Sequence, residues 1–512
     1  MKGGNSRQIQ GTHGQIPIKS LSYKSKFRIW MIRSELMRME IIILFLMLSG
    51  MAALPLVSQD WPMWGGTAQR NMTSAMKNLP EFWDVKSGKN IKWKAKIGST
   101  SYGNPVVADG KIFLGTNNEN PRNPEIEGDK GVLMCFRESD GRFLWQAVTD
   151  KLDSGWENDW PEQGVCSSPA VEGKRLYYVS NRGELICLDT DGFMDGSNDG
   201  PFQDEVHKGS SDADIIWKLD MMKELGVVQL FMASSSPVLW EDLVFVGTSN
   251  GRDSNDEKIP APQAPSFLAV DKDSGEVVWQ DNSPGDGILH GQWFSPALGQ
   301  VDGVQQAFFP GGDGWIYGFS ARTGERLWRF DLNPKDAVWP KTRNYGISTP
   351  VFSGGRVFMS VGQDPDHPNG VGHTYCIDPA HRGDITESGR IWQYDKIRRS
   401  ISTAAVADGL VYVSDFRGNM HCLDAGIGKP YWTFDMVAPV WGSPLAADGK
   451  VYLGDEDGDV AVLKAGTEMK IISEIDMGDS VYSTPVPANG VLYIMTRSAL
   501  YAIAGSAGGS DK

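Results

Sequence analysis

Three stretches carry residues whose types and spacing suit chemistry. In DTDGFMDGSNDGPFQDE (Asp189–Glu205) oxygen-bearing side chains recur at short intervals among turn glycines. That arrangement suits a hard cation such as Ca2+, with Asp189, Asp191, Asp195, Asn198 and Asp199 as candidate ligands, though it lacks the ordered spacing and closing Glu of an EF-hand loop. Val361–Ile385 holds His367, His373 and His381; their spacing matches no transition-metal pattern, and the stretch reads as an inserted loop. GGDGWIYGFSARTGERLW (311–328) resembles a phosphate cradle at first sight. A cradle opens a helix, whereas here an aromatic, β-branched run leads into a second turn, which is strand–turn–strand grammar. No Ser-His-Asp or Cys-His signature for nucleophilic catalysis is evident.

The same grammar recurs along the chain, in RGNMHCLDAGIGKPYW, RGELICLDTDG, SFLAVDKDSGEVVW and GVLMCFRESDGRFLW. Each unit is a Gly turn, a short apolar strand, a second Gly turn and, in most, a Trp. A further signature marks eight unit starts: YGNPVV, CSSPAV, SSSPVL, WFSPAL, ISTPVF, ISTAAV, WGSPLA and YSTPVP. The last three starts, at Ala404, Pro444 and Pro485, are spaced as propeller blades are, at about 40–45 residues. Asp-Gly or Asn-Gly at 109–110, 302–303, 408–409, 448–449 and 489–490 predicts type I′ hairpin turns after strand one. Strand four carries Trp145, Trp217, Trp279, Trp328, Trp392 and Trp432, placed to pack between neighbouring sheets; the seventh unit lacks this Trp.

The eighth unit ends at ALYAIAG (Ala499–Gly505), one strand short, while NIKWKAKI (Asn90–Ile97) is a fourth strand with no unit before it. Joining them predicts an all-β, single eight-bladed β-propeller of four-stranded antiparallel blades, its last blade closed by the N-terminal strand. Closure removes exposed sheet edges. The expected organisation is a basic leader with signal peptide or anchor (1–58), an N-terminal extension (59–89), the propeller (90–505) and a flexible tail (506–512).

The apolar run Ile41–Val57 behind a basic segment reads as an export signal, with small residues at Ala52, Ala53 and Ser58 for cleavage and Met37 or Met39 as alternative starts. This predicts a periplasmic or secreted protein; an uncleaved membrane anchor is the alternative. No Cys follows the run to carry a lipid. The formal net charge of −15 includes a basic first 40 residues, so the rest is more acidic still; nucleic acid is not an expected partner. Four of the five Cys (135, 187, 376, 422) occupy one repeat position, too far apart for bridging, so all five are expected as free, buried thiols.

In a propeller, polar functions gather where the loops leading into strand one converge on the axis. These loops bring Asp159, Glu162, His290, Gln292, Trp293, Arg343, Asn344, Tyr345, Arg398, Arg399, Trp441 and Tyr482 toward one rim. Arginines, amides and aromatics at one funnel predict a small anionic ligand or a protein segment, bound by a monomer with no membrane contact beyond the signal.

The units SGEVVW and TGERLW are similar to the tryptophan-docking repeats of the pyrroloquinoline-quinone-type propeller family, over about Trp61 to Gly505. That family includes quinoprotein alcohol dehydrogenases and non-enzymatic members such as the barrel-assembly lipoprotein of bacterial outer membranes. The dehydrogenases imply Ca2+ held by Glu, Asn and Asp, an Asp base, and a quinone stacked between a Trp and a vicinal disulfide. Here Trp441 would be the floor, and Asn158 and Asp159 the ligands, but no vicinal Cys pair exists. The resemblance therefore implies a non-catalytic binding scaffold; a quinoprotein oxidoreductase and a purely structural scaffold of an extracytoplasmic complex are the alternatives.

Overall fold

The computed structural model describes residues 59–364 and 370–504. The apolar run, residue 505 onward and His367 lie outside them. Among the described residues no helix is long and apolar enough to cross a membrane.

Eight sheets form eight blades, at residues 106–150, 170–220, 238–281, 297–331, 351–394, 405–435, 445–476 and 486–504. The last is completed by Ile91–Lys96, which pairs antiparallel with Ala499–Ala504, Trp93 opposite Ala502. The ring closes as predicted. Two blades exceed four strands: Thr73–Ser74 adds in parallel to blade 7, and Gly383–Asp384 to blade 4. Positive φ at both residues of all five Asp-Gly and Asn-Gly pairs, such as 48° and 72° at Asp109 and Gly110, confirms the type I′ turns.

The recurrent glycines and tryptophans have one shared explanation. Four docking Trp rings, those of Trp93, Trp217, Trp279 and Trp392, lie against the turn glycine of the following blade. A Cβ on Gly324 would stand 2.7 Å from the Trp279 ring, one on Gly275 2.7 Å from Trp217 and one on Gly428 2.7 Å from Trp392. The indole N–H then donates across the junction, Trp279 Nε1 to Ala321 O at 2.9 Å and Trp93 Nε1 to Glu138 O at 3.0 Å. Blade 7 has Ser473 where the others have Trp, paired opposite Val462. Here the N-terminal extension fills in. Ser473 Oγ donates to Glu81 O, Tyr452 OH to Pro80 O at 2.9 Å, and Trp83 is fully buried with Nε1 3.1 Å from Met477 Sδ.

The extension does more. Strand one is the inner edge of each blade, and an edge presents unpaired backbone groups that must find partners. Residues 59–74 make one circuit of the axis and supply them in order. Gln59 O accepts from Asn489 of blade 8, Trp61 bridges Val107 of blade 1, and Pro62 O accepts from Val171 of blade 2. Ala68 O, Gln69 O, Asn71 Oδ1 and Met72 O then accept from Leu298, Phe352, Val406 and Ala446 of blades 4 to 7. Blade 3 is reached by Arg70, fully buried, which donates to the carbonyls of Ser236, Pro237, Pro296 and Trp64 at 2.8–2.9 Å. Burial lowers its pKa from 12.5 to about 9, which leaves it charged at neutral pH. The segment is a plug across one end of the axial channel.

Candidate functional site

The repeated hexapeptide leads into strand one of each blade. Alternate residues of an extended chain share a face, so the residues one and three before the Pro/Ala signature both turn to the axis. The nearer position forms a belt. The N–H of Asn104, Ser168, Ser236, Thr403, Ser443 and Thr484 each donates to the side-chain oxygen of the corresponding residue in the next blade, at 2.7–3.0 Å. A Ser, Thr or Asn is needed there because each interior N–H requires an acceptor.

The farther position lines a cavity of about 370 Å³: Tyr102, Cys166, Ser234 and Trp293 from blades 1 to 4, then Ile347, Ile401, Trp441 and Tyr482 from blades 5 to 8. Trp64 of the plug also lines it, as do Trp160, Phe231 and Asp364 from longer loops. Two aromatic groups form on the wall. In one, Phe231 stacks on Trp293 at 6.1 Å and on Trp156 at 5.9 Å, with Trp160 edge-on at 5.2 Å. In the other, Tyr102, Trp441 and Tyr482 lie 5.2–5.5 Å apart. Phe231 sits at φ 59°, a conformation bulky residues avoid. It is held there by Phe231 N–H to Glu157 O at 2.8 Å and Trp160 N–H to Phe231 O at 2.7 Å.

Of the rim residues named from sequence, Trp293, Trp441 and Tyr482 line the cavity. The others stand behind or beside it. His290 lies within 3.6 Å of Asp364 and 2.7 Å of Asp256, its ring 5.4 Å from that of Trp293. Gln292 binds Asn250 O, Ser266 Oγ and the Gly312 N–H, joining blades 3 and 4. Buried Asn344 donates to Val371 O at 2.7 Å. Asp159 accepts from Lys151, Asn181 and the Leu152 N–H.

The arginines form no basic funnel. Arg343 pairs with Asp331 at 3.3 Å and donates to Asp313 O. Arg399 is buried, donates to Asp364 O at 2.9 Å and lies 4.8 Å over Phe416. Arg398 is exposed. Among the described residues no Lys or Arg lines the cavity. Against the basic funnel inferred from sequence, Arg343 and Arg399 reach sideways to an acid and carbonyls of the preceding blade.

The acidic loop is held by bonds to blade 1 and within its own blade. Asp191 pairs with Lys111 at 2.8 Å and Lys174 at 3.1 Å, while Asp189 and Asp195 each accept from a backbone N–H two residues on. Asn198 bonds Glu205 and Gln203, and the Asp199 N–H donates to Asp214. His373 pairs with Asp395 and His381 with Asp378, at separate places. Among the described residues no group of three or more His, Cys, Asp and Glu is arranged to hold a metal ion. All five Cys are free and buried.

Sequence reasoning missed Tyr102, Cys166, Ser234, Ile347 and Ile401 as wall residues. The signal was present as the first letter of each repeated hexapeptide. Trp64, Trp160, Phe231 and Asp364 had no periodic signal, since they come from the plug and from loops of unequal length.

The sequence profile of the family described as outer membrane protein assembly factor BamB matches residues 204–364 and 312–471, together just over half the chain. No curated protein sequence matches significantly. Among solved structures, BamB from Moraxella catarrhalis aligns at TM-score 0.53 with 14% identity, covering 82% of this chain and 98% of that one. The quinohemoprotein alcohol dehydrogenase of Comamonas testosteroni aligns at TM-score 0.61 with 13% identity, covering 89% and 82%. At such identities the likeness is one of fold.

Proposed function

The chain belongs to the PQQ-like β-propeller family whose profile is described as outer membrane protein assembly factor BamB, and from that premise we propose that it is an exported, non-catalytic scaffold that binds a ligand or protein segment in its axial cavity. The observation that carries this is the cavity itself: floored by Trp64, walled by one residue from every blade, and ringed by aromatics. Concave apolar pockets with a few polar groups are where proteins bind ligands. The family description and the BamB likeness support an assembly role outside the cytoplasm, with the apolar run Ile41–Val57 as its export signal.

The quinoprotein alternative meets a poor fit in the residues present. Pyrroloquinoline quinone is a polycarboxylate, yet among the described residues no Lys or Arg lines this cavity and Asp364 is the one carboxylate that does. Cys166, the lining thiol, is unpaired, and burial pushes its pKa up to about 12.

The test is paired. Anaerobic incubation with pyrroloquinoline quinone and Ca2+ is expected to give neither saturable absorbance change nor dye reduction with alcohols or aldoses. A thermal-shift screen of small molecules and peptides is expected to find ligands whose stabilisation disappears in Trp293→Ala/Trp441→Ala. Quinone uptake with turnover would reinstate the oxidoreductase, and hits indifferent to the double substitution would place binding elsewhere.

A further inference from the structure

Resting on the reading of the axial cavity as a binding site, we infer that the group it admits is an organic cation, an ammonium carried on an apolar body, rather than the anion that the arginine-bearing loops predicted. The first observation is the composition of the wall. The faces of Trp, Tyr and Phe rings carry negative electrostatic potential and attract cations, most of all where water is excluded. The two aromatic groups come from blades 2 to 4 and from blades 7, 8 and 1, which stand across an eight-bladed ring from one another. A body between them meets rings on both sides and the Trp64 indole at the floor.

The second observation is where the rings' own polar atoms go. Trp293 Nε1 donates to Leu230 O at 3.0 Å. Trp441 Nε1 and Tyr482 OH donate to the two oxygens of Glu456, each at 3.2 Å. These three donors are spent inside the protein, so an anion entering the cavity gains no hydrogen bond from them; of the other lining residues, Trp64 Nε1 and Ser234 Oγ are buried without a partner. The Glu456 carboxylate bonded to two wall rings deepens the negative potential on their faces.

The third observation is charge. No Lys or Arg lines the cavity among the described residues, Asp364 does, and the whole chain is acidic at −15. The nearest guanidinium groups are engaged beside the wall: Arg497 lies 5.7 Å from the Tyr482 ring centre and bonds Thr100, and Arg399 packs over Phe416 while holding the Asp364 carbonyl. Arg497 shows that a wall ring of this site holds a cationic group, and both guanidinium groups are tied to the protein by hydrogen bonds.

The experiment uses three solutes that share a tert-butyl-like shape and differ in charge: choline, 3,3-dimethylbutan-1-ol and 3,3-dimethylbutanoate. Each is titrated into the full-length protein by calorimetry, with tryptophan emission followed in parallel. Choline is expected to bind at least tenfold tighter than the alcohol, with the carboxylate weakest. Trp293→Leu and Trp441→Leu are each expected to weaken choline tenfold or more while changing the alcohol less than threefold, with melting temperatures checked to show that the variants fold. Nα-acetyl-lysine amide separates the sources: affinity matching choline assigns the cation to a partner's lysine, and affinity well below it assigns a free quaternary ammonium compound. Equal binding of choline and alcohol, or tightest binding of the carboxylate, would overturn the cationic inference while leaving the cavity a binding site. Absence of any binding by choline would overturn the inference too, and the ligand screen with Trp293→Ala/Trp441→Ala then decides the fate of the cavity by itself.

Discussion

Replacing Arg70 by Met tests whether the plug is part of the fold's stability. The guanidinium bonds four carbonyls, those of Trp64, Ser236, Pro237 and Pro296. Hydrogen bonds from a charged group contribute about 2 kcal/mol each, so roughly 8 kcal/mol is lost on removal. Against this, burial of the cation, which lowers its pKa from 12.5 to about 9, costs about 5 kcal/mol at 1.36 kcal/mol per tenfold change. Met keeps most of the volume. The net loss is then about 3 kcal/mol. At about 2.1 cal/mol/K per residue, a chain of this size unfolds with an entropy of roughly 1.1 kcal/mol/K, so Tm falls by only about 3 °C. Urea titration reads the free energy directly, and limited proteolysis within residues 59–74 reads plug detachment. Arg70→Lys, with fewer donors and no fork, is expected to lie between Met and the parent. An unchanged urea midpoint with an equally protected plug would refute the reasoning and leave the backbone bonds to strand one as sufficient anchors.

Deleting residues 59–97 removes the plug and the closing strand, and should leave no cooperatively folded monomer by circular dichroism and size-exclusion chromatography; a deletion variant melting like the parent would contradict the closure. Asp455 is fully buried, and desolvation raises its pKa from 3.8 to about 6. The folded state therefore binds more protons than the unfolded between about pH 4 and 6, so this group's contribution falls as pH rises through that window. Asp455→Asn should stabilise by about 1–2 kcal/mol at pH 7 and little at pH 4, read from urea midpoints at both pH values. Burial holds the thiols of Cys166, Cys187, Cys376 and Cys422 near a pKa of about 12, so iodoacetamide at pH 8 should spare the native protein and label all five Cys after denaturation without reductant; a mass showing any bridge would contradict this. Arg343→Ala/Arg399→Ala should cost about 2–4 kcal/mol of stability, since each arginine ties its own blade to the preceding one; a loss under about 1 kcal/mol would contradict that tie.

Local rules decided much of this protein from sequence alone. An Asp-Gly pair permits positive φ at both positions whatever surrounds it, so Asp109-Gly110 and its four counterparts announced their hairpins. The alternation of a strand is equally local, so the hexapeptide already ordered one wall residue per blade. A strand missing at one terminus and spare at the other can be joined only by ring closure, which is why Trp93 opposite Ala502 was predictable. Tertiary structure decided what depends on distance between segments far apart in the chain. Gln59 to Ser74 has no periodicity, and its path around the axis arises because eight inner edges together offer backbone N–H and C=O groups that no single blade can satisfy. Trp83 reaches the junction where Ser473 leaves room, a complementarity that neither segment encodes alone. The arginines turned aside for the same reason: sequence gave their charge and their loop, but Asp331 and the carbonyls of Asp313 and Asp364 lie within reach only once the blades are packed, and an arginine partnered there no longer sets the character of the cavity.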